Sequence, residues 1–149
     1  MMDYSREIVN ADFIEEMKPM TVDHLEEIPS FPDIKPGIDF ALYAKMEELG
    51  VLRAYVARHE GKMVGYAIFI VADHPHYKGS LQATQDCIFL DKEHRRGWDG
   101  INLIRFCDDQ LKDEGVDVVY QFTSKKPDFS LVLGRLGYEQ NQSMWARRL

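Results

Sequence analysis

The sequence predicts an α/β (α+β) fold: a mixed, mainly antiparallel sheet with helices on both faces. Three observations carry that expectation. Two β-rich runs, LRAYVAR and KMVGYAIFIVA, are joined by the turn-like cluster His59-Glu60-Gly61-Lys62. Stretches with helical spacing of apolar residues lie on both sides of this hairpin in the chain. A short strand-like run, VDVVYQF, then falls between two helical segments, so helices and strands interleave. With 149 residues, 45% hydrophobic and 29% charged, the chain suits a single domain over residues 1–149.

The expected order is β, α, α, three strands, α, β, α, β. After the first strand, ADFIEEMKPM places Phe13, Ile14 and Met17 at helical spacing behind a cap at Asn10 or Asp12, with an interruption near Pro19. IPSFPDIKPG reads as a proline-stiffened loop. Phe40, Ala41, Tyr43, Ala44, Met46 and Leu49 restore the helical period, which stops at Gly50. In the hairpin, the second run from Met63 to Val71 is apolar on both faces, as a central, doubly covered strand is.

ADHPHYKGS reads as a loop before the third strand, LQATQDCIFL. Strict alternation in that strand places Gln82, Thr84, Asp86, Ile88 and Leu90 on one face and Leu81, Ala83, Gln85, Cys87 and Phe89 on the other. Three polar groups in a row on one face point to the border of a cleft. Leu103, Ile104, Cys107 and Leu111 then form the apolar stripe of a helix from Gly100 to Glu114, ending at Gly115. VDVVYQF is a strand, DFSLVLGRLGY a short helix closing on Gly137, and Glu139 to Arg148 a last strand.

Charge and composition narrow the function classes. A net charge of -7 argues against broad nucleic-acid binding, which needs a basic stripe. The acidity is N-terminal: residues 1–50 carry 12 acidic and 4 basic side chains, whereas residues 51–149 carry 13 and 14. Such a distribution fits either a solvated helix face or a negative field that draws in a cationic partner. No apolar run approaches the roughly 20 residues of a membrane span, and MMDYSREIVN lacks a signal-peptide pattern, so a cytoplasmic location is expected. Cys87 and Cys107 lie inside apolar patterns and read as reduced core residues. His74 and His76 in HPHYK lack an evident third ligand, so no metal is expected.

The order of elements, the run CIFLDKEHRR leading into GWDGINLIRF, and the ending LVLGRLGYE together resemble the GNAT superfamily of acyl-CoA-dependent N-acetyltransferases, over nearly the whole chain. The resemblance implies about six to seven strands flanked by about four helices. The family's coenzyme loop, an arginine or glutamine followed two residues on by a glycine, one residue, then glycine or alanine, falls on Arg95, Arg96, Gly97, Trp98, Asp99 and Gly100. Backbone N–H groups in a turn that opens a helix make an anion site, which suits the pyrophosphate of coenzyme A. The backbone of Phe89 and Leu90 would, by the same resemblance, bond the pantetheine arm of acetyl-CoA. Trp98 departs from the pattern by replacing the first signature glycine, and Asp99 adds a negative charge, unless it serves as the helix N-cap.

Acetyl transfer needs a base for an ammonium acceptor and an acid for the leaving thiolate. Asp86 is the candidate base, with a structural carboxylate as the competing role. The family's usual acid is a tyrosine at the position held here by Leu133, which leaves Tyr120 as a substitute acid or a plain core aromatic. The resemblance therefore implies transfer of acetyl from acetyl-CoA to a primary amine of a small molecule or protein, with the acidic N-terminal helices and the loop from Pro29 to Gly37 on the acceptor side. It is compatible with a homodimer. The rival expectation is a binding protein on the same scaffold, inactive because its loop has drifted.

Overall fold

The computed structural model describes residues 1–29 and 31–149; Ser30, inside the expected acceptor-side loop, lies outside the described residues. The elements in order are β1 (Met2–Glu7), α1 (Ala11–Glu27), α2 (Phe40–Glu48), β2 (Leu52–His59), β3 (Lys62–His74), β4 (Tyr77–Leu90), α3 (Asp99–Asp113), β5 (Val118–Tyr120) and α4 (Ser130–Arg135). The strands form one sheet in the order β1-β2-β3-β4-β5, antiparallel throughout except for the parallel pair β4 and β5.

The central strand is the one with two apolar faces. β3 is buried continuously from Met63 to Phe69, and its alternate side chains feed two cores. One core gathers Tyr55, Val64, Phe69 and Ala83 with Leu103, Cys107 and Leu111 of α3. The other gathers Leu52, Val56, Tyr66, Ile68 and Phe89 with Phe13, Met17 and Met20 of α1. The β2–β3 turn has the two positive φ values, 49° at Glu60 and 79° at Gly61, that match a tight turn to the strand twist. Arg58 pins the edge strand by pairing with Glu7 of β1 at 2.7 Å and with Glu16 of α1 at 2.5 Å.

Four expectations are corrected. α1 runs unbroken through Pro19 to Glu27, capped by Asn10, whose side chain accepts from Phe13 N at 3.0 Å. Pro19 forfeits one helical hydrogen bond, but the buried face continues past it through Met20, Thr21 and His24, and that burial outweighs the loss. Most of ADHPHYKGS is strand, because β3 and β4 extend as a two-residue hairpin with His74 opposite Tyr77. That tip projects beyond the core, so no apolar pattern marks it.

The sheet has five strands rather than six or seven, since residues 139–149 form no strand and are exposed. EQNQSMWARR has no alternating apolar face to bury, and its described anchor is Arg148 on Asp33 at 2.7 Å. Finally, β4 does not alternate strictly. Leu81 and Ala83 belong to the same core as Ile88 and Leu90, whereas Cys87 and Phe89 face the other one. The register explains it: Gln85 pairs with Phe69 and Cys87 with Ile68, leaving Asp86 as an extra, unpaired residue. This is a β-bulge, which exchanges the faces of the strand beyond it.

Candidate active site

The bulge at Asp86 and the short β5 together open the sheet. β5 pairs with β4 only at Gln82–Val118, Ala83–Val119 and Thr84–Tyr120. One step further, the gap is already spanned by a side chain, with Gln85 Oε1 accepting from Phe122 N at 2.9 Å. Beyond it, the β5-facing edge of β4 from Asp86 to Leu90 has no strand partner among the described residues. The pairing of the two parallel strands thus stops short of the carboxyl end of β4, and the gap it leaves is the candidate cleft, at a place where open sheets commonly put their ligands.

The loop that leaves β4 closes one end of this cleft. A single 3₁₀ turn, Lys92–His94, is followed by Arg95 to Trp98 and the start of α3. Among the described residues, no backbone N–H between Arg96 and Ile101 donates to a backbone carbonyl; the first to do so is Asn102, to Trp98 at 2.8 Å. These donors lie in and just before the first turn of α3, at the positive end of its dipole. The positive φ that the turn requires falls on Gly97, at 97°, and nothing lies within 4 Å of where its Cβ would be. Gly100 sits over the cleft end of β4, its Cβ position 3.7 Å from Leu90 Cδ2. The donors and the space fit a polyanion.

Trp98 does not obstruct this arrangement. Its φ is -103°, so the position needs no glycine, and the indole is 66% exposed. Trp98, not Asp99, is the N-cap of α3, and it caps without a side-chain hydrogen bond. Asp99 is instead the first helical residue, where a carboxylate is still favoured by the dipole, and its carbonyl accepts from Tyr4 Oη at 3.1 Å.

The two arginines diverge. Arg95 turns inward: Nε donates to Leu90 O at 2.6 Å, a terminal nitrogen pairs with Glu27 of α1 at 2.7 Å, and the guanidinium lies 5.2 Å from the Phe89 ring centroid. On Phe89, buried like Leu90, His24 stacks at 5.2 Å, and its Nδ1 is 2.6 Å from Tyr66 Oη. Burial holds this imidazole below its ordinary range, and the Arg95 charge adds to the effect against the opposing pull of Glu27 and Asp86. The end of α1 is thereby bolted to the loop between β4 and α3. Arg96 is exposed and pairs with no carboxylate among the described residues.

Asp86 is exposed at the bulge, and Oδ2 accepts a hydrogen bond from Tyr43 Oη of α2. Tyr43 also lies 3.8 Å from Cys87 Sγ. Burial, with the neighbouring thiol and carboxylate, pushes the Tyr43 phenol far above its ordinary value. Tyr120 is half-buried at the last paired position of β5. Leu133 is 8% exposed and carries no proton to give. The fold therefore brings Asp86, Phe89, Leu90 and the 95–100 loop to one cleft, with Tyr120 at its closed end.

Three contributors escape sequence reading. Tyr43 looks like one more apolar residue on a helical stripe. Glu27 is one of many acids on α1. Gly65 lies within a strand, yet a Cβ there would come within 2.8 Å of Phe89 O and 2.7 Å of Leu90 Cδ1; an isolated glycine in a buried strand is the one signal that could have found it.

No protein-family model and no curated protein sequence matches the chain. Solved structures do. It is similar to a ribosomal-protein-alanine N-acetyltransferase from Brucella melitensis biovar Abortus 2308, with a TM-score of 0.78 and 16% identity over 99% of both chains. It is also similar to an aminoglycoside acetyltransferase from an uncultured soil metagenomic sample in complex with sisomicin, with a TM-score of 0.73 and 19% identity over 99% of this chain and 96% of that one. A predicted acetyltransferase with acetyl-CoA from Clostridium acetobutylicum gives a TM-score of 0.72 and 13% identity, again over 99% and 96%. At such identities the likeness speaks to fold.

Proposed function

We propose that this chain, which has the fold of the GNAT-superfamily N-acetyltransferases, transfers an acetyl group from acetyl-CoA to a primary amine. The observation that carries the reading is the cleft between β4 and β5, which ends on a loop with six successive residues, Arg96 to Ile101, whose N–H groups have no backbone acceptor among the described residues. Those donors, with Arg96, would hold the pyrophosphate. The register corrects which backbone groups of β4 are free: Phe89 turns its N–H and carbonyl to Tyr66 of β3, and Leu90 O is taken by Arg95, so the Leu90 N–H and the backbone of Ile88 would bond the pantetheine amides. Arg95 serves by holding the loop against Glu27 rather than by reaching the phosphates.

In this reading Asp86 takes one proton from the acceptor ammonium. The nitrogen lone pair attacks the thioester carbonyl carbon, a C–N bond forms, and the C–S bond breaks with its electron pair on sulfur. Tyr120 gives the thiolate its proton, and the second ammonium proton leaves to solvent. Neighbouring folds bind acceptors as different as sisomicin and, by name, a ribosomal protein, so the acceptor is defined here only as an amine, with the acidic N-terminal half favouring a cationic one. A cytoplasmic setting, where acetyl-CoA is available, fits the same reading.

The second reading, a binding protein on this scaffold, is favoured by the buried Leu133 where an acid is expected. Isothermal titration with acetyl-CoA separates the two. One site per chain is expected, with the binding heat lost in the Gly100→Val protein; no heat at millimolar acetyl-CoA would sink the enzyme reading.

A further inference from the structure

Asp86 and Tyr43 come from different layers of the fold. Asp86 is on the sheet at the bulge, and Tyr43 is on α2, a nine-residue helix with no fully buried side chain of its own. Asp39 starts that helix by accepting from Leu42 N at 2.9 Å. α2 packs one edge, including Phe40, Tyr43 and Met46, against the core beneath it. A tyrosine there could bury its ring and leave its hydroxyl in water. Instead the hydroxyl reaches across to β4, between Asp86 Oδ2 and the Cys87 thiol.

From this geometry we infer that Tyr43 is the positioning residue of the site: it fixes the Asp86 carboxylate through Oδ2 and leaves Oδ1 turned to the acceptor amine. The inference rests on the acetyl-transfer reading for its catalytic consequence. The exposed Asp86 side chain has two χ angles to fix, and the hydrogen bond that fixes its carboxylate among the described residues is the one from Tyr43. Tyr43 is a reliable donor because burial keeps its proton on the phenol at any working pH. Among the described residues, none donates a hydrogen bond to Oδ1, which leaves that oxygen free for a substrate N–H. The other ionisable groups facing the pair are Cys87 on β4, whose thiol is also pushed up by burial, and His24 on α1, whose proton affinity burial lowers.

The test is Tyr43→Phe, which keeps the ring and its packing. A positioning role predicts that kcat falls about ten- to a hundredfold, the cost of a misplaced catalytic group, while acetyl-CoA affinity stays unchanged. It also predicts non-additivity: in the Asp86→Asn background, Tyr43→Phe costs nothing further, because the group it positions is gone. A merely structural tyrosine would lower activity equally in both backgrounds, and that outcome overturns the inference. The ¹³C carboxyl NMR signal of Asp86 is an arm independent of turnover: its chemical shift must change in Tyr43→Phe as the hydrogen bond is lost, and an unchanged signal also overturns the inference. If no amine is acetylated by the wild-type protein but the Asp86 signal moves, the pairing stands and the acetyl-transfer reading is what has failed.

Discussion

At Gly65 a side chain has nowhere to go: its Cβ would meet the backbone of Phe89 and Leu90 within 3.2 Å. That contact sets how closely β3 supports the free edge of β4, and hence the floor of the cleft. Gly65→Ala is expected to destabilise the fold by about 1–3 kcal/mol, the usual range for overpacking, with a matching fall in the urea midpoint. Gly100 differs, since its Cβ position has ordinary contact distance to Leu90. Gly100→Val should keep the wild-type midpoint and weaken acetyl-CoA binding by crowding the loop. Trp98→Gly should preserve or strengthen that binding, because the indole is exposed and the backbone there is not strained; a clear loss in titration calorimetry would instead place the indole on the coenzyme. The turn that opens α3 is legible in the sequence because Gly97 and Gly100 mark a strand-to-helix junction, and Gly97 takes the positive φ there. Tyr43 is not, since nothing local separates an aromatic that buries its hydroxyl on a distant carboxylate from one that simply packs.

At the scale of elements, the end of α1 carries a titration. His24 is 6% exposed, and burial lowers its affinity for a proton relative to the ordinary value of 6.5. The unfolded chain therefore binds that proton first, so stability is full above pH 6.5 and declines as pH falls below it, toward the depressed folded value. Urea midpoints should show this decline above the carboxylate range, and His24→Gln should flatten it; a slope that persists in the variant would assign it elsewhere. The same scale shows where pattern reading succeeds and fails. The α3 stripe is plain from its helical period and the glycine after it, and the β2–β3 hairpin from two β-rich runs joined by a glycine turn. The face exchange in β4 was invisible, since a bulge is a property of pairing with Ile68 and Phe69, not of the β4 sequence alone. Pro19 does not break α1 because the buried face of Met20, Thr21 and His24 overrides backbone propensity, and that burial is not local to the proline.

For the whole molecule, the acidic N-terminal half is partly spent inside the fold. Glu7 and Glu16 neutralise Arg58, Glu27 holds Arg95, and Asp39 caps α2. The remaining carboxylates still outnumber the cations on the helices beside the cleft, so cationic acceptors should have the lower KM. That preference should shrink as salt shortens the Debye length from about 10 Å at 0.1 M. Equal turnover of acidic and cationic amines, with no salt effect, would return these residues to a solvated face. The layered order is readable because it follows from element sequence, whereas the missing sixth strand is not, its expected segment lacking any buried face to select it. The most direct measurement is a mass-detected assay of acetyl-CoA with a panel of polyamines, aminoglycosides and lysine peptides, comparing the wild-type and Asp86→Asn proteins. The account predicts one or more acceptors gaining an acetyl group with stoichiometric release of coenzyme A, and that gain falling at least about a hundredfold in Asp86→Asn. Acetylation that is undiminished in Asp86→Asn would contradict it.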